Sequence, residues 1–208
     1  MTAPSSPLSI GFMLSGTGRT LDNLVAFLAN RPELGAIRAV LSDRPGVLGL
    51  EKAERFGIPH HVMPCARPED SAAIFAWLDD QKIDYVLLGG WLKLLKIAPG
   101  WEHRVLNIHP SLIPKFSGHG FYGSRVHRAV IAAGERESGC TVHFVDDIYD
   151  HGPVLLQRKV PVLPDDTTDT LADRVFEAEC DAYPEAIELL ASGAVRFDGD
   201  ELIVDRPA

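Results

Sequence analysis

Val105-Leu106-Asn107-Ile108-His109-Pro110-Ser111-Leu112-Ile113-Pro114 is the stretch around which the chain is organised. Its apolar lead-in reads as a buried strand. Asn107 and His109 stand two residues apart, so on a strand both side chains point to one face. Pro110 has no backbone donor and ends the ladder. An amide and an imidazole thus arrive side by side at a strand end. In open α/β sheets the ligand crevice lies outside the carboxyl ends of the strands. An amide that donates to a carbonyl oxygen, beside a base that moves protons, suits acyl transfer.

Upstream, residues 8–14 read as a short apolar strand. Ser15-Gly16-Thr17-Gly18-Arg19-Thr20 and the helical pattern Leu21, Leu24, Val25, Leu28 follow it. Strand, glycine turn and helix make the geometry that cradles a phosphate, because backbone N–H groups point outward at the helix start. Arg19 offers a forked, charge-assisted contact. Leu21 stands where a dinucleotide fingerprint has its third glycine, and no Gly-Lys-Ser/Thr P-loop is present. A tight turn without a ligand therefore stays open as the alternative. Further strands are expected at 37–41, 61–63 and 83–88, and helices at 48–56 and 68–81. The alternation indicates βαβ units, an α/β class with a mostly parallel central sheet and helices on both faces. Gly89-Gly90-Trp91-Leu92-Lys93-Leu94-Leu95 leaves the 83–88 strand at the same sheet edge. It reads either as an apolar slot or as core packing.

Downstream, residues 115–123 form a loop rich in glycine and aromatics, followed by a helix over 124–133 capped by Ser124 and ended by Gly134. Residues 139–145 alternate as a strand, with Thr141 and His143 on one face and Val142 and Phe144 on the other. Asp146-Asp147-Ile148-Tyr149-Asp150-His151-Gly152-Pro153 is an acidic loop. A strand at 154–162, a helical pattern at 166–190 interrupted at Pro184, and a hairpin at 195–204 around Asp198-Gly199 complete the chain. Residues 1–7 read as a disordered lead and 8–208 as one domain, its halves meeting near 105–106.

The chain has 208 residues, 46% hydrophobic and 24% charged, with a formal net charge of −9. That balance argues against a general nucleic-acid or membrane-surface binder. Three widely spaced cysteines, Cys65, Cys140 and Cys180, show no disulfide or zinc spacing, which suits a reducing cytoplasm. No signal peptide or membrane span is expected. The eight histidines form no HExxH or Cys/His pattern, so no metal is expected. His103 and His127 read as satisfied structural residues. Asp150 matters if the fold returns it to His109, where it would orient the imidazole and favour its charged form.

Asn107-Ile108-His109-Pro110-Ser111-Leu112-Ile113-Pro114, then Gly139-Cys140-Thr141-Val142-His143-Phe144-Val145, then Asp150-His151-Gly152-Pro153, resembles the phosphoribosylglycinamide formyltransferases. The similarity runs from Ser15-Gly16 through Glu179 and Tyr183-Pro184. It implies a single-domain, Rossmann-like formyltransferase fold. It also implies transfer of a formyl group from 10-formyltetrahydrofolate, a co-substrate, to glycinamide ribonucleotide in purine synthesis, without a metal. By the same resemblance Asn107, His109 and Asp150 match the catalytic triad. Gly16, Thr17, Gly18, Arg19 and Thr20 match the loop that holds the ribonucleotide phosphate, and Glu179 the acid near the glycinamide amine. Leu92, Lys93, Leu94, Leu95, Val145 and Asp146, with Asn107, match the walls around the folate. The 118–123 loop is longer than in the shortest members, and Cys140 replaces a small residue.

These residues suit direct attack of the amine on the formyl carbon, with Asn107 and a protonated His109 donating to the oxyanion. His109 and Asp150 would relay the proton. The implied partners are small molecules, with no nucleic acid or membrane, and the chain acts as a monomer or homodimer. A formyltetrahydrofolate hydrolase is the nearest rival, expected to carry an additional N-terminal regulatory domain. A methionyl-tRNA formyltransferase would need a C-terminal RNA-binding domain, and a nucleotide-binding module without catalysis is the rival from another class.

Overall fold

A computed structural model of the chain describes residues 7–205. The lead expected over 1–7 lies outside them except for Pro7. Seven strands form one sheet in the order β3-β2-β1-β4-β5-β6-β7. They are β1 (Leu8–Leu14), β2 (Gly35–Ser42), β3 (His60–Val62), β4 (Tyr85–Leu88), β5 (Val105–His109), β6 (Glu137–Phe144) and β7 (Val154–Pro161). The first five pair in parallel, and β6 and β7 add antiparallel strands beyond β5. The helices are α1 (Arg19–Asn30), α2 (Leu48–Arg55), α3 (Ser71–Asp80), α4 (Ser124–Ala132) and α5 (Thr168–Ala191). A separate hairpin, β8 (Val195–Asp198) with β9 (Glu201–Val204), turns through Gly199 at φ +58.

Alternation along the strands divides the core in two. Ile10, Phe12 and Leu14 of β1, Leu106 and Ile108 of β5, and Cys140, Val142 and Phe144 of β6 pack with α1, α2, α4 and α5. Met13, Val86, Leu88 and Val105 face the other way, against Ile74, Phe75 and Leu78 of α3 and against Trp91 and Trp101. Helices thus cover both faces, as parallel strands require. Asn107 and His109 share the phase of Val105 and project from the second face. Strand order reverses between β1 and β4, and there the carboxyl ends of the strands open a crevice. Its two rims are tied together: Ser15 N–H donates to Gly90 O at 3.0 Å and Leu92 N–H to Ser15 Oγ at 3.2 Å.

Three local expectations need correction. The helix expected from 68 begins as a 3-10 turn over Pro68–Asp70, and regular helix starts at Ser71. Ser124 is the first helical residue rather than the cap; Gly123 occupies the cap position, and no side chain caps the helix. Pro184 does not interrupt α5, which runs through it for 24 residues. One missing N–H weakens a helix locally, but Ala182, Tyr183, Ala186 and Ile187 around it are fully buried, and tertiary packing holds the helix straight through.

Tyr183 carries the main polar anchor of α5. Its hydroxyl lies 3.0 Å from both Leu88 O, at the end of β4, and Leu106 O, within neighbouring β5. One hydroxyl hydrogen serves two carbonyls in a wholly buried site. Tyr183→Phe is expected to lower the unfolding free energy by about 0.5–1.5 kcal/mol, the net value of one such bond. Urea denaturation checks this, and an unchanged midpoint would show that the anchor contributes nothing.

Candidate active site

β5 and β6 bring four polar side chains to one place. Antiparallel pairing sets Asn107 opposite His143 and His109 opposite Thr141. Facing residues of an antiparallel pair share a sheet face, so the two histidines and the amide converge. Asn107 Nδ2 lies 3.2 Å from His143 Nε2 and donates to Asp150 Oδ1 at 3.4 Å. His109 Nδ1 lies 3.4 Å from Asp150 Oδ2, and His143 Nε2 lies 3.7 Å from Asp150 Oδ1. Asp150 itself sits in the left-handed region at φ +53, which aspartate tolerates better than most residues. Gly118 N–H donates to its Oδ2 at 2.8 Å. The acidic loop is thereby folded back onto the strand end, as the reading of Asp150 required.

Protonation follows from the partners. Phe116 O, 2.9 Å from His109 Nε2, can only accept, so Nε2 carries a hydrogen and Nδ1 faces the carboxylate. Burial pushes His109 below its ordinary pKa, against the pull of Asp150. The protonated His109 expected from sequence is therefore disfavoured at rest. Burial alone would raise Asp150; the neighbouring His143 and His109 and the Gly118 N–H outweigh it and hold the carboxyl below its usual range. His143 Nδ1 donates to Phe144 O at 2.8 Å, which leaves Nε2 bare to accept from Asn107.

A cavity of about 510 Å³ opens in front of this cluster and extends to the glycine turn. Gly16, Thr17, Gly18, Arg19 and Thr20 line it, as do Asn107, His109, Asp150 and Glu179. Gly18 takes φ +67 and immediately precedes α1, whose first N–H groups have no partner within the helix. The Arg19 side chain lies toward α5, with its guanidinium 3.9 Å from the centre of the Phe176 ring and 3.3 Å from Asp173. Desolvation pushes the Glu179 carboxyl up to about 7, with Arg19 working in the opposite direction.

The expected folate walls divide. Leu92 lines the cavity beside Trp91. Leu95 is buried in the core on the α3 face, and Val145 packs against the same cluster. Asp146 pairs with His151 at 2.6 Å. Lys93, Leu94, Leu95, Val145 and Asp146 all lie outside the cavity lining.

Two residues were not singled out from sequence. His143 was visible only as one face of an alternating strand; its partner depends on the β5–β6 register. His127, read as a satisfied histidine, is 5% exposed and lines the cavity, and its Nδ1 has no hydrogen-bond partner among the described residues. Groups of His, Cys, Asp and Glu able to hold a metal ion do not occur among the described residues.

The formyl transferase family matches residues 8–187. Phosphoribosylglycinamide formyltransferase of the chloroplast from Vigna unguiculata is 41% identical over 180 residues, covering 83% of this chain and 58% of that protein. The trifunctional purine biosynthetic protein adenosine-3 of Gallus gallus is 38% identical over 92% of this chain, which spans only 19% of that protein. Among solved structures, glycinamide ribonucleotide transformylase 1 from Symbiobacterium toebii superposes with a TM-score of 0.86 at 35% identity. That match covers 95% of this chain and 94% of the other. With the strand order, the crevice and the Asn107–His109–Asp150 cluster already in place, these similarities make the chain a member of the formyl transferase family, akin to its phosphoribosylglycinamide formyltransferases.

Proposed function

We propose that this chain transfers the formyl group of 10-formyltetrahydrofolate to the amine of N1-(5-phosphoribosyl)glycinamide, a step of purine (IMP) biosynthesis. One observation carries the reading. A single cavity joins the Asn107–His109–Asp150 cluster to a glycine turn at a helix start and to Glu179. A formyl-transfer centre therefore shares its space with a site suited to a phosphate. The apolar walls at Trp91, Leu92, Phe121 and Tyr122 suit the flat rings of a folate. Three unpaired cysteines suit work in a reducing cytoplasm.

Asn107 polarises the formyl oxygen. His143 holds one amide hydrogen at 3.2 Å, and the longer 3.4 Å contact to Asp150 leaves the other available to the substrate. As the amine attacks, charge builds on that oxygen, and the preorganised amide meets it without reorganising. The attacking nitrogen must then lose a proton. Neutral His109 presents Nδ1, and a proton arriving there gains the Asp150 carboxylate 3.4 Å away. From this pair it passes to the departing folate nitrogen. Glu179 receives the amine end of the ribonucleotide, and its raised pKa lets it exchange a proton near neutrality. The turn holds the phosphate, so remote binding energy orients the attack. A hydrolase needs neither anchor, because its nucleophile is water.

Asn107→Ala is expected to reduce turnover on the order of 10²–10³-fold with smaller changes in substrate affinity. Wild-type turnover in the folded variant would remove Asn107 from the mechanism. Consumption of 10-formyltetrahydrofolate is expected to be slow alone and fast with glycinamide ribonucleotide, with labelled formyl recovered on the ribonucleotide. Fast release of formate that ignores the ribonucleotide would identify a hydrolase instead.

The imidazole can be followed directly. His109 is expected to titrate below 6.5 by NMR, because burial disfavours its cation. Asp150 opposes that lowering, so in Asp150→Asn the ring is expected to titrate lower still. A rise in the variant would contradict the assigned pairing.

A further inference from the structure

Lys52 of α2 is a cation only 8% exposed, lying behind the glycine turn rather than in the cavity. Its ammonium forms an ion pair with Asp22 and donates to Gly18 O at 3.4 Å. One turn earlier in α2, Gly49 N–H donates to Gly16 O at 3.0 Å. The carbonyls of both turn glycines are therefore taken from the α2 side.

A trans peptide unit points its C=O and N–H in opposite directions. Holding Gly16 O against α2 turns the Thr17 N–H away from α2. Gly18 O, bound by Lys52 and also by Asp22 N–H at 3.2 Å, turns the Arg19 N–H out of the helix start. Thr17 and Arg19 both line the cavity. The contact between turn and α2 is close. A Cβ on Gly18 would lie 2.9 Å from Gly49 Cα, and one on Gly49 would lie 3.0 Å from Gly16 O and 2.5 Å from Leu14 Cδ2. Nothing bulkier than glycine fits between them. The Asp22 side chain is 44% exposed against 11% for Lys52, so water screens the anion more than the cation. Positive potential then remains beneath the turn, with the same sign as the start of α1.

We infer that Lys52 is a positioning residue for the turn, pinning the Gly18 carbonyl from behind so that the N–H groups in front form an anion site for a phosphate monoester. This rests on the reading of the turn as the phosphate anchor of the ribonucleotide. A lysine that only tied α1 to α2 through Asp22 would affect folding but not the choice between phosphorylated and unphosphorylated ligands.

The test compares glycinamide ribonucleotide with its phosphate-free nucleoside as ligands, by inhibition constants or calorimetry, in wild type, Lys52→Met and Lys52→Arg. Wild type is expected to prefer the phosphorylated ligand strongly. Lys52→Met is expected to lose about tenfold of that preference, the size of one charge-assisted contact, with nucleoside affinity unchanged. Lys52→Arg is expected to retain it. A wild-type preference preserved in Lys52→Met overturns the role of Lys52 and leaves the phosphate reading intact. A wild type without preference overturns the phosphate reading itself. Should Lys52→Met fail to fold, Lys52→Gln, which loses the charge but keeps an N–H donor, is expected to show a smaller loss. An unchanged preference there overturns the inference equally.

Discussion

β1 lies in the middle of the sheet, bonded to β2 on one side and β4 on the other. Successive right-handed crossovers run outward from it in opposite directions. The connections leaving β1 and β4 therefore diverge and cannot fill the space between them. The crevice is a consequence of strand order, and every proposed site residue is placed by its distance from that reversal. The turn follows β1 directly, Trp91 and Leu92 follow β4, and Asn107 and His109 end β5. The apolar interior makes this arrangement rigid, since Phe12, Met13, Leu14, Val86 and Leu87 are fully buried.

The polar cluster sits on that rigid end at a cost in desolvation. Asp150, His109 and His143 are all withdrawn from water, and a buried ionisable group is tolerated only when its partners are in place. Here each has one. Phe116 O takes His109, Phe144 O takes His143, and Gly118 N–H with the Asn107 amide supports Asp150. Several of these partners are backbone atoms of neighbouring loops, so the geometry of the cluster depends on the path of residues 116–118 as much as on the strands. The same low-dielectric surroundings strengthen any hydrogen bond to charge developing on a substrate oxygen.

A chain of net charge −9 binding a phosphorylated substrate is consistent on these grounds. The anion site is built from backbone N–H groups and a helix start, which retain their partial positive charge whatever the overall balance. Arg19, the cation nearest in sequence, stacks on Phe176 and pairs with Asp173. Lys52, thirty-four residues from Gly18, is the cation that meets the turn.

Local patterns in the sequence were enough for the strand–turn–helix at 8–28, the parallel α/β class, and the shared face of Asn107 and His109. Those features follow from side-chain periodicity and from the special backbone of glycine and proline, which act over a few residues. The implied match of Asp150 to the triad came from resemblance; its arrival beside His109 depended on a loop returning across the sheet. Pairing register alone put His143 opposite Asn107, and a one-residue slip would have sent it to the other face. Likewise, Pro184 reads locally as a break, yet buried neighbours carry α5 through it. Lys52 reads locally as one more charge on an amphipathic helix. Packing of α2 against the turn buried it, because contacts between segments distant in sequence are decided by close packing of the whole core rather than by local propensity.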